Sequence, residues 1–172
     1  RDAASYALVP YSNRIGQRQF QWRGRRYTVA ANWPPEPHSL HGVGWMSAWQ
    51  VMEHTDNRVM LALTHPSDAH WPFAFHAEQT FELSATSLRV TLAVSNIDAR
   101  ETPIGLGWHP YFPKRSRSRV HAEVSARWEP DPGTELPTRK LSQSGIDGDV
   151  AHLAFDHCFE GWRGAARIRD ER

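Results

Sequence analysis

The chain has 172 residues, enough for one domain with a hydrophobic core and too few for two of ordinary size. Its 20 Lys and Arg against 19 Asp and Glu leave a net charge of +1, too weak a field to gather nucleic acid or an anionic membrane as a partner. A single cysteine, Cys158, excludes an intramolecular disulfide framework and a CxxC metal ribbon, and the absence of a signal-peptide pattern or a run of ~20 apolar residues makes a soluble, cytoplasmic protein the expectation.

Taken in chain order, the pattern is one of strands. Phe20 and Trp22 alternate with polar residues, Trp22-Arg23-Gly24-Arg25 supplies a glycine-containing turn, and Tyr27 to Ala31 resumes a strand, which predicts a hairpin. Residues 32–44, NWPPEPHSLHGVG, have the proline and glycine content of a rigid loop. Four strands are then expected in WMSAWQVMEHT, NRVMLALTH, FAFHAEQTFELS and TSLRVTLAVSN. In the last, Leu88, Val90, Leu92 and Val94 alternate with Arg89, Thr91, Ala93 and Ser95, the period of a sheet with one wet face. The polar turns between them are short and favour antiparallel neighbours.

Beyond a basic, solvated PKRSRSR segment, SRVHAEVSARWEP reads as one further strand. DPGTELPTRKLSQSGIDGD reads as a long connection, and LAFDHCFEGWRGAARIRDER places Asp156 after a short apolar run, ahead of a last strand. No amphipathic helix or internal repeat interrupts this. The expectation is a single all-β domain over residues 1–172, an antiparallel β-sandwich.

Four polar residues share one context, a charged or imidazole side chain among Gly, Pro or aromatic residues at a strand end: Arg14 in PYSNRIG, His41 in SLHGVGW, His109 in GLGWHPYF and Asp156 in AFDHCFEGW. Strand ends are where distant segments of a sandwich meet, so these four are candidates to line one pocket. An imidazole there can exchange protons near neutral pH. Each has a plainer reading when taken alone: a surface arginine, a hydrogen-bonded loop histidine, a histidine in a tight turn, a turn-forming aspartate. The 10 histidines raise the question of a metal, but His38 with His41 and His152 with His157 lie in loops without helical i, i+4 spacing or a carboxylate at motif distance, and no metal centre is expected. His157 and Cys158 are adjacent on a strand and point to opposite faces, against a thiol nucleophile. No nucleophile elbow, phosphate loop or dinucleotide fingerprint is present. The 8 tryptophans offer flat faces for the C–H sides of sugars.

Read together and in order, PYSNRIGQRQFQWRGRRY, the LHG at 40–42, GLGWHPYF and FDHCFEGWRG resemble the aldose 1-epimerase (galactose mutarotase) family, from about Val9 to Ile168. The resemblance implies a galactose mutarotase-like supersandwich binding a monosaccharide in an open cleft, here expected to lack strands at both ends. It implies interconversion of the α and β anomers of a free aldose without cofactor or metal. Within it, His109 corresponds to the general acid toward the ring oxygen and His41 to the second active-site histidine. Arg14 and Asp156 correspond to sugar-hydroxyl ligands, and Trp71, in the WPF element, to an aromatic near the sugar. The family's general base is a glutamate close to the C-terminus, beyond the segment matching FDHCF, and neither Glu160 nor another acid of this chain sits in that motif. Two alternatives accompany this reading: a hexose 6-phosphate as substrate, and a carbohydrate-binding sandwich without catalysis.

Overall fold

The computed structural model describes residues 5–170, and packing divides the chain into two compact units, one ending at Tyr111 and the other beginning at Phe112. In the first unit β1 (Ser5–Leu8) is followed by β2 (Arg14–Ile15), β3 (Gln19–Trp22), β4 (Arg25–Thr28) and β5 (Ser39–Leu40). Then come β6 (Gln50–His54), β7 (Arg58–His65), β8 (Phe75–Leu83), β9 (Leu88–Asn96) and β10 (Gly107–Pro110).

The expected hairpin is β3 against β4, with Trp22 opposite Arg25. Arg23 and Gly24 take φ of 49° and 75°, the pair of left-handed residues that a two-residue turn of this twist requires. The second strand stops at Thr28 rather than Ala31: Val29 N–H still bonds the Arg18 carbonyl in register, at 2.9 Å, but Ala30 N–H leaves the hairpin for the Ala69 carbonyl, at 2.7 Å.

The four-stranded expectation is met by an antiparallel meander in the order β6-β7-β8-β9. Its registers place Leu63, Ala77 and Val94 in one row and Val59, Phe81 and Val90 in another, so the period-two pattern of each strand lands on one face. That face carries Phe75 and Ala77, both 0% exposed, into a core with Phe73, Trp71, Tyr11, Val9, Val29 and Val43. Residues 45–49, expected to begin the first of these strands, instead include a short 3-10 turn, Gly44–Met46. Trp49 Nε1 donates to the Gly44 carbonyl at 2.8 Å and Ser47 Oγ to the Val43 carbonyl at 2.8 Å, local bonds that compete with a ladder.

β1 pairs with β10, Tyr6 opposite His109 and Ala7 opposite Trp108. Alternation then sends Trp108 toward the sheet, edge-on to Phe81 with ring centroids 6.0 Å apart, and His109 to the other face.

In the second unit β11 (Ser118–Ala122), β12 (Ala126–Pro130), β13 (Pro137–Ser142), β14 (Ile146–Asp149), β15 (Cys158–Glu160) and β16 (Ala166–Asp170) form two three-stranded antiparallel sheets, ordered β14-β11-β16 and β13-β12-β15. Two expectations are corrected here. SRVHAEVSARWEP is two strands in different sheets, parted where Ser125 N–H bonds the Glu160 carbonyl and its own carbonyl accepts from Gln143 N–H. The long connection contains β13 and β14, which residue alternation did not reveal because β13 is exposed on both faces apart from Leu141. Among the described residues no helix is long and apolar enough to cross a membrane.

Candidate functional site

The first unit brings His41 and His109 together, ring centroids 5.6 Å apart and planes at 74°. Each is placed by backbone pairing. His109 is the penultimate residue of β10, held opposite Tyr6, and the two rings stack at 4.8 Å and 14°. Tyr111 packs on His109 as well, at 4.8 Å and 37°, and the Tyr6 and Tyr111 hydroxyls are hydrogen-bonded at 3.2 Å. Burial, then the bond to Tyr111, pushes the Tyr6 phenol up to about 12, so it remains a neutral hydroxyl.

His41 follows β5 in a turn where His41 and Gly42 both have positive φ, 59° and 69°. The left-handed region is unusual for histidine, and here backbone bonds on both sides impose it. His41 N–H donates to the Asn13 carbonyl at 2.9 Å, and Asn13 N–H donates to His41 Nδ1 at 3.0 Å. A backbone N–H can only donate, so Nδ1 is the acceptor and neutral His41 carries its proton on Nε2. Burial first, then the charges of His109 and Arg14, lowers His41 to about 4, which keeps it neutral at ordinary pH. Nδ1 of His109 is sealed from solvent without a hydrogen-bond partner among the described residues.

Arg14 enters the same neighbourhood because β2 pairs with β5, Arg14 opposite Leu40. Its Nε donates to Glu36 Oε2 at 3.1 Å, with both side chains largely withdrawn from water. Glu36 lies in the proline-rich loop and escaped the sequence reading, as did Tyr6 and Asn13. The tract PPEPH was legible only as loop, and Tyr6 becomes significant only through its register with His109.

The remaining expected residues are Trp71 and Asp156. Trp71 does not stand beside the imidazoles with an open face: it is 2% exposed, stacked on Phe20 at 5.3 Å and packed on Tyr11 and Phe73, a core residue. Its apolar WPF context, read as a sugar-facing element, is what a buried ring also requires. Asp156 belongs to the second unit, exposed just ahead of β15, with its N–H on His157 Nδ1 at 3.2 Å. That unit also has an open depression of about 420 Å³ lined by His121, Ser125, Ile146, Asp147 and the ion pair Arg163–Glu123.

A stacked, partly buried imidazole beside a neutral imidazole with a fixed donor, and an arginine within reach, is an arrangement for proton exchange with an oxygen-rich ligand. Comparison with known proteins gives the family. The family model for aldose 1-epimerase matches residues 2–172, and the chain belongs to the aldose 1-epimerase family. YphB, an uncharacterized protein of Escherichia coli (strain K12), is 39% identical over 173 residues, which is 97% of this chain and 58% of YphB. The crystal structure of an Escherichia coli K12 protein provisionally described as an aldose 1-epimerase superposes with a TM-score of 0.90 at 34% identity, covering 98% of this chain and 59% of that one. A galactose mutarotase-like protein from Clostridium acetobutylicum shares the fold, with a TM-score of 0.79 at 22% identity over 96% of this chain and 58% of its own. The fold is thus the galactose mutarotase-like β-sandwich, and the chain spans a little under three fifths of the length of these relatives.

Proposed function

We propose that the protein interconverts the α and β anomers of a free aldose by opening and reclosing the sugar ring. The observation that carries this reading is the His41–His109 pair, 5.6 Å apart, in a chain of the aldose 1-epimerase family. Ring opening needs a proton delivered to the ring oxygen while the anomeric hydroxyl loses one; rotation about C1–C2 then lets the ring close on the opposite face. His109 gives and retakes the ring-oxygen proton through Nε2, since its Nδ1 is enclosed. His41, neutral and protonated on Nε2, donates a hydrogen bond to a sugar oxygen and helps polarise it. Arg14 binds sugar hydroxyls, which orients the substrate and lowers the entropic part of the barrier. The resemblance puts the base that takes the anomeric proton in a C-terminal glutamate motif, and no acid of this chain is assigned that role.

Glu36 favours an unphosphorylated sugar. It already neutralises Arg14 at 3.1 Å, and its carboxylate would repel a phosphate brought to that guanidinium. Polarimetry on a freshly dissolved single anomer tests the proposal: acceleration of mutarotation by the protein, lost in His109→Ala, is expected. Sugar binding with no acceleration would leave a carbohydrate-binding sandwich in its place. Preference for a hexose 6-phosphate in the same assay would overturn the argument from Glu36.

A further inference from the structure

The turn that presents His41 is held by a side chain that the proposed reaction does not use. Asn32, half-buried in the proline-rich loop, accepts Leu40 N–H on Oδ1 at 2.8 Å. Its Nδ2 donates to the Leu40 carbonyl at 2.6 Å and to the Gly42 carbonyl at 2.9 Å. One amide thereby grips the backbone on both sides of His41. Both Nδ2 protons are used, and the flipped amide would set its oxygen against two carbonyls, so the orientation is fixed by the partners themselves.

We propose that Asn32 is a positioning residue for His41, holding the left-handed Leu40–Gly42 turn so that the imidazole keeps its Nδ1 on Asn13 N–H and its Nε2–H directed to substrate. The inference rests on the acid–base reading above for its consequence in catalysis, and on the hydrogen bonds alone for its consequence in structure. A non-glycine residue at positive φ is strained and persists only where its surroundings over-determine it. His41, at φ 59°, is such a residue. The Asn13 pair constrains the imidazole from one side; Asn32 constrains the peptide units that carry it from the other.

No other side chain of similar size supplies the same set. Aspartate has the shape but lacks both donors, and would turn an anion toward two carbonyls; glutamine is one methylene too long. The grip also reaches His109. The Leu40 carbonyl takes a second donor, Trp45 Nε1–H at 3.2 Å, and the Trp45 ring lies 5.8 Å from Tyr6, the residue stacked on His109. Loosening the Leu40 peptide therefore releases an anchor of Trp45 and, through it, the packing behind the second imidazole.

The test compares wild type with Asn32→Asp and Asn32→Ala, by polarimetric kinetics and by ¹⁵N correlation spectra of the histidine rings. The expected result is a single Nε2–H tautomer for His41 in wild type and converging, averaged ring-nitrogen shifts in both variants. With this goes a loss of about tenfold to a hundredfold in kcat and a smaller change in KM, as expected for misplaced rather than missing catalytic groups. A wild-type His41 spectrum in a folded Asn32→Asp protein would overturn the inference, whatever the kinetics. Should both variants fail to fold, amide hydrogen exchange in wild type decides: strong protection of Leu40 N–H, whose acceptor is Asn32 Oδ1, supports the grip, and rapid exchange overturns it. An inactive wild type whose His41 tautomer still depends on Asn32 would overturn the anomer reading and uphold this one.

Discussion

Tyr6 stands directly opposite His109 in the β1–β10 pair, and its ring lies 4.8 Å from the imidazole at an interplanar angle of 14°. A cross-strand pair of this kind fixes a side chain more firmly than a loop contact does, because register and pleat place both Cβ atoms on one face before any rotamer is chosen. Tyr6 covers one face of the His109 ring, which leaves the ring's edge for the proton transfer of the proposed reaction.

Stacking pairs contribute roughly 0.5–1.5 kcal/mol beyond area burial. Tyr6→Leu is accordingly expected to lower kcat for mutarotation by a factor of about 2 to 10, and Tyr6→Phe, which retains the ring, to leave it close to wild type. Equal losses in the two variants would show that the Tyr6 hydroxyl, not its face, is what matters.

His41 provides a pH prediction. Its value is lowered to about 4 in the folded protein from an ordinary 6.5, so between these limits the unfolded chain binds a proton that the folded one does not. Stability from this residue is therefore complete above about pH 6.5 and declines as pH falls toward 4. An NMR titration of the His41 ring should show a midpoint near 4, and His41→Gln should flatten the stability profile across that window.

Asp98 gives a second acid-sensitive contact of the same sign. Its bonds to Arg100, followed by that from Ala74 N–H, hold its carboxyl well below the usual aspartate range, while Arg100 lies over the Phe73 ring at 4.8 Å. A depressed aspartate stabilises the fold above its ordinary value and ceases to do so as pH falls through the folded one. Urea unfolding at successively lower pH should find Asp98→Asn less stable than wild type near neutrality, with the difference shrinking in acid.

Two glycines separate a conformational demand from a steric one. Gly24, φ 75°, has nothing within 4 Å of where a Cβ would be, so Gly24→Ala should cost only the left-handed penalty, roughly 1–2 kcal/mol. At Gly42, φ 69°, a Cβ would lie 2.3 Å from the Val9 carbonyl oxygen and 2.6 Å from its carbon, both backbone atoms. Gly42→Ala should cost well above that amount and reduce activity through His41. Equilibrium unfolding of the two variants provides the comparison.

Phe75, wholly buried and stacked at 5.1 Å against His65, tests the core itself. Phe75→Ala is expected to destabilise by roughly 3–5 kcal/mol, the range for deleting a buried aromatic ring. A loss below about 1 kcal/mol would mean that the sheet face can collapse onto the void.

How much of this could be read before folding depends on whether a residue's role is local. The meander of β6 to β9 was legible because burial of one face writes a period of two into each strand, and the hairpin at Arg23-Gly24 because its turn needs left-handed residues. His41 and His109 stood out for the same reason, as imidazoles among glycine and proline at strand ends. The exposed strand β13 left no such trace, since both its faces are wet and backbone pairing alone makes it. Nor could Trp71 be told from a ligand-facing ring, because an indole in a core and one in a cleft call for the same apolar neighbours. Tyr6 over His109, Glu36 on Arg14 and Asn32 around His41 are decided by tertiary structure only. Each joins segments that are neighbours through register and chain crossing, and the geometry of a hydrogen bond or ring stack across such a junction has no signature in either segment alone.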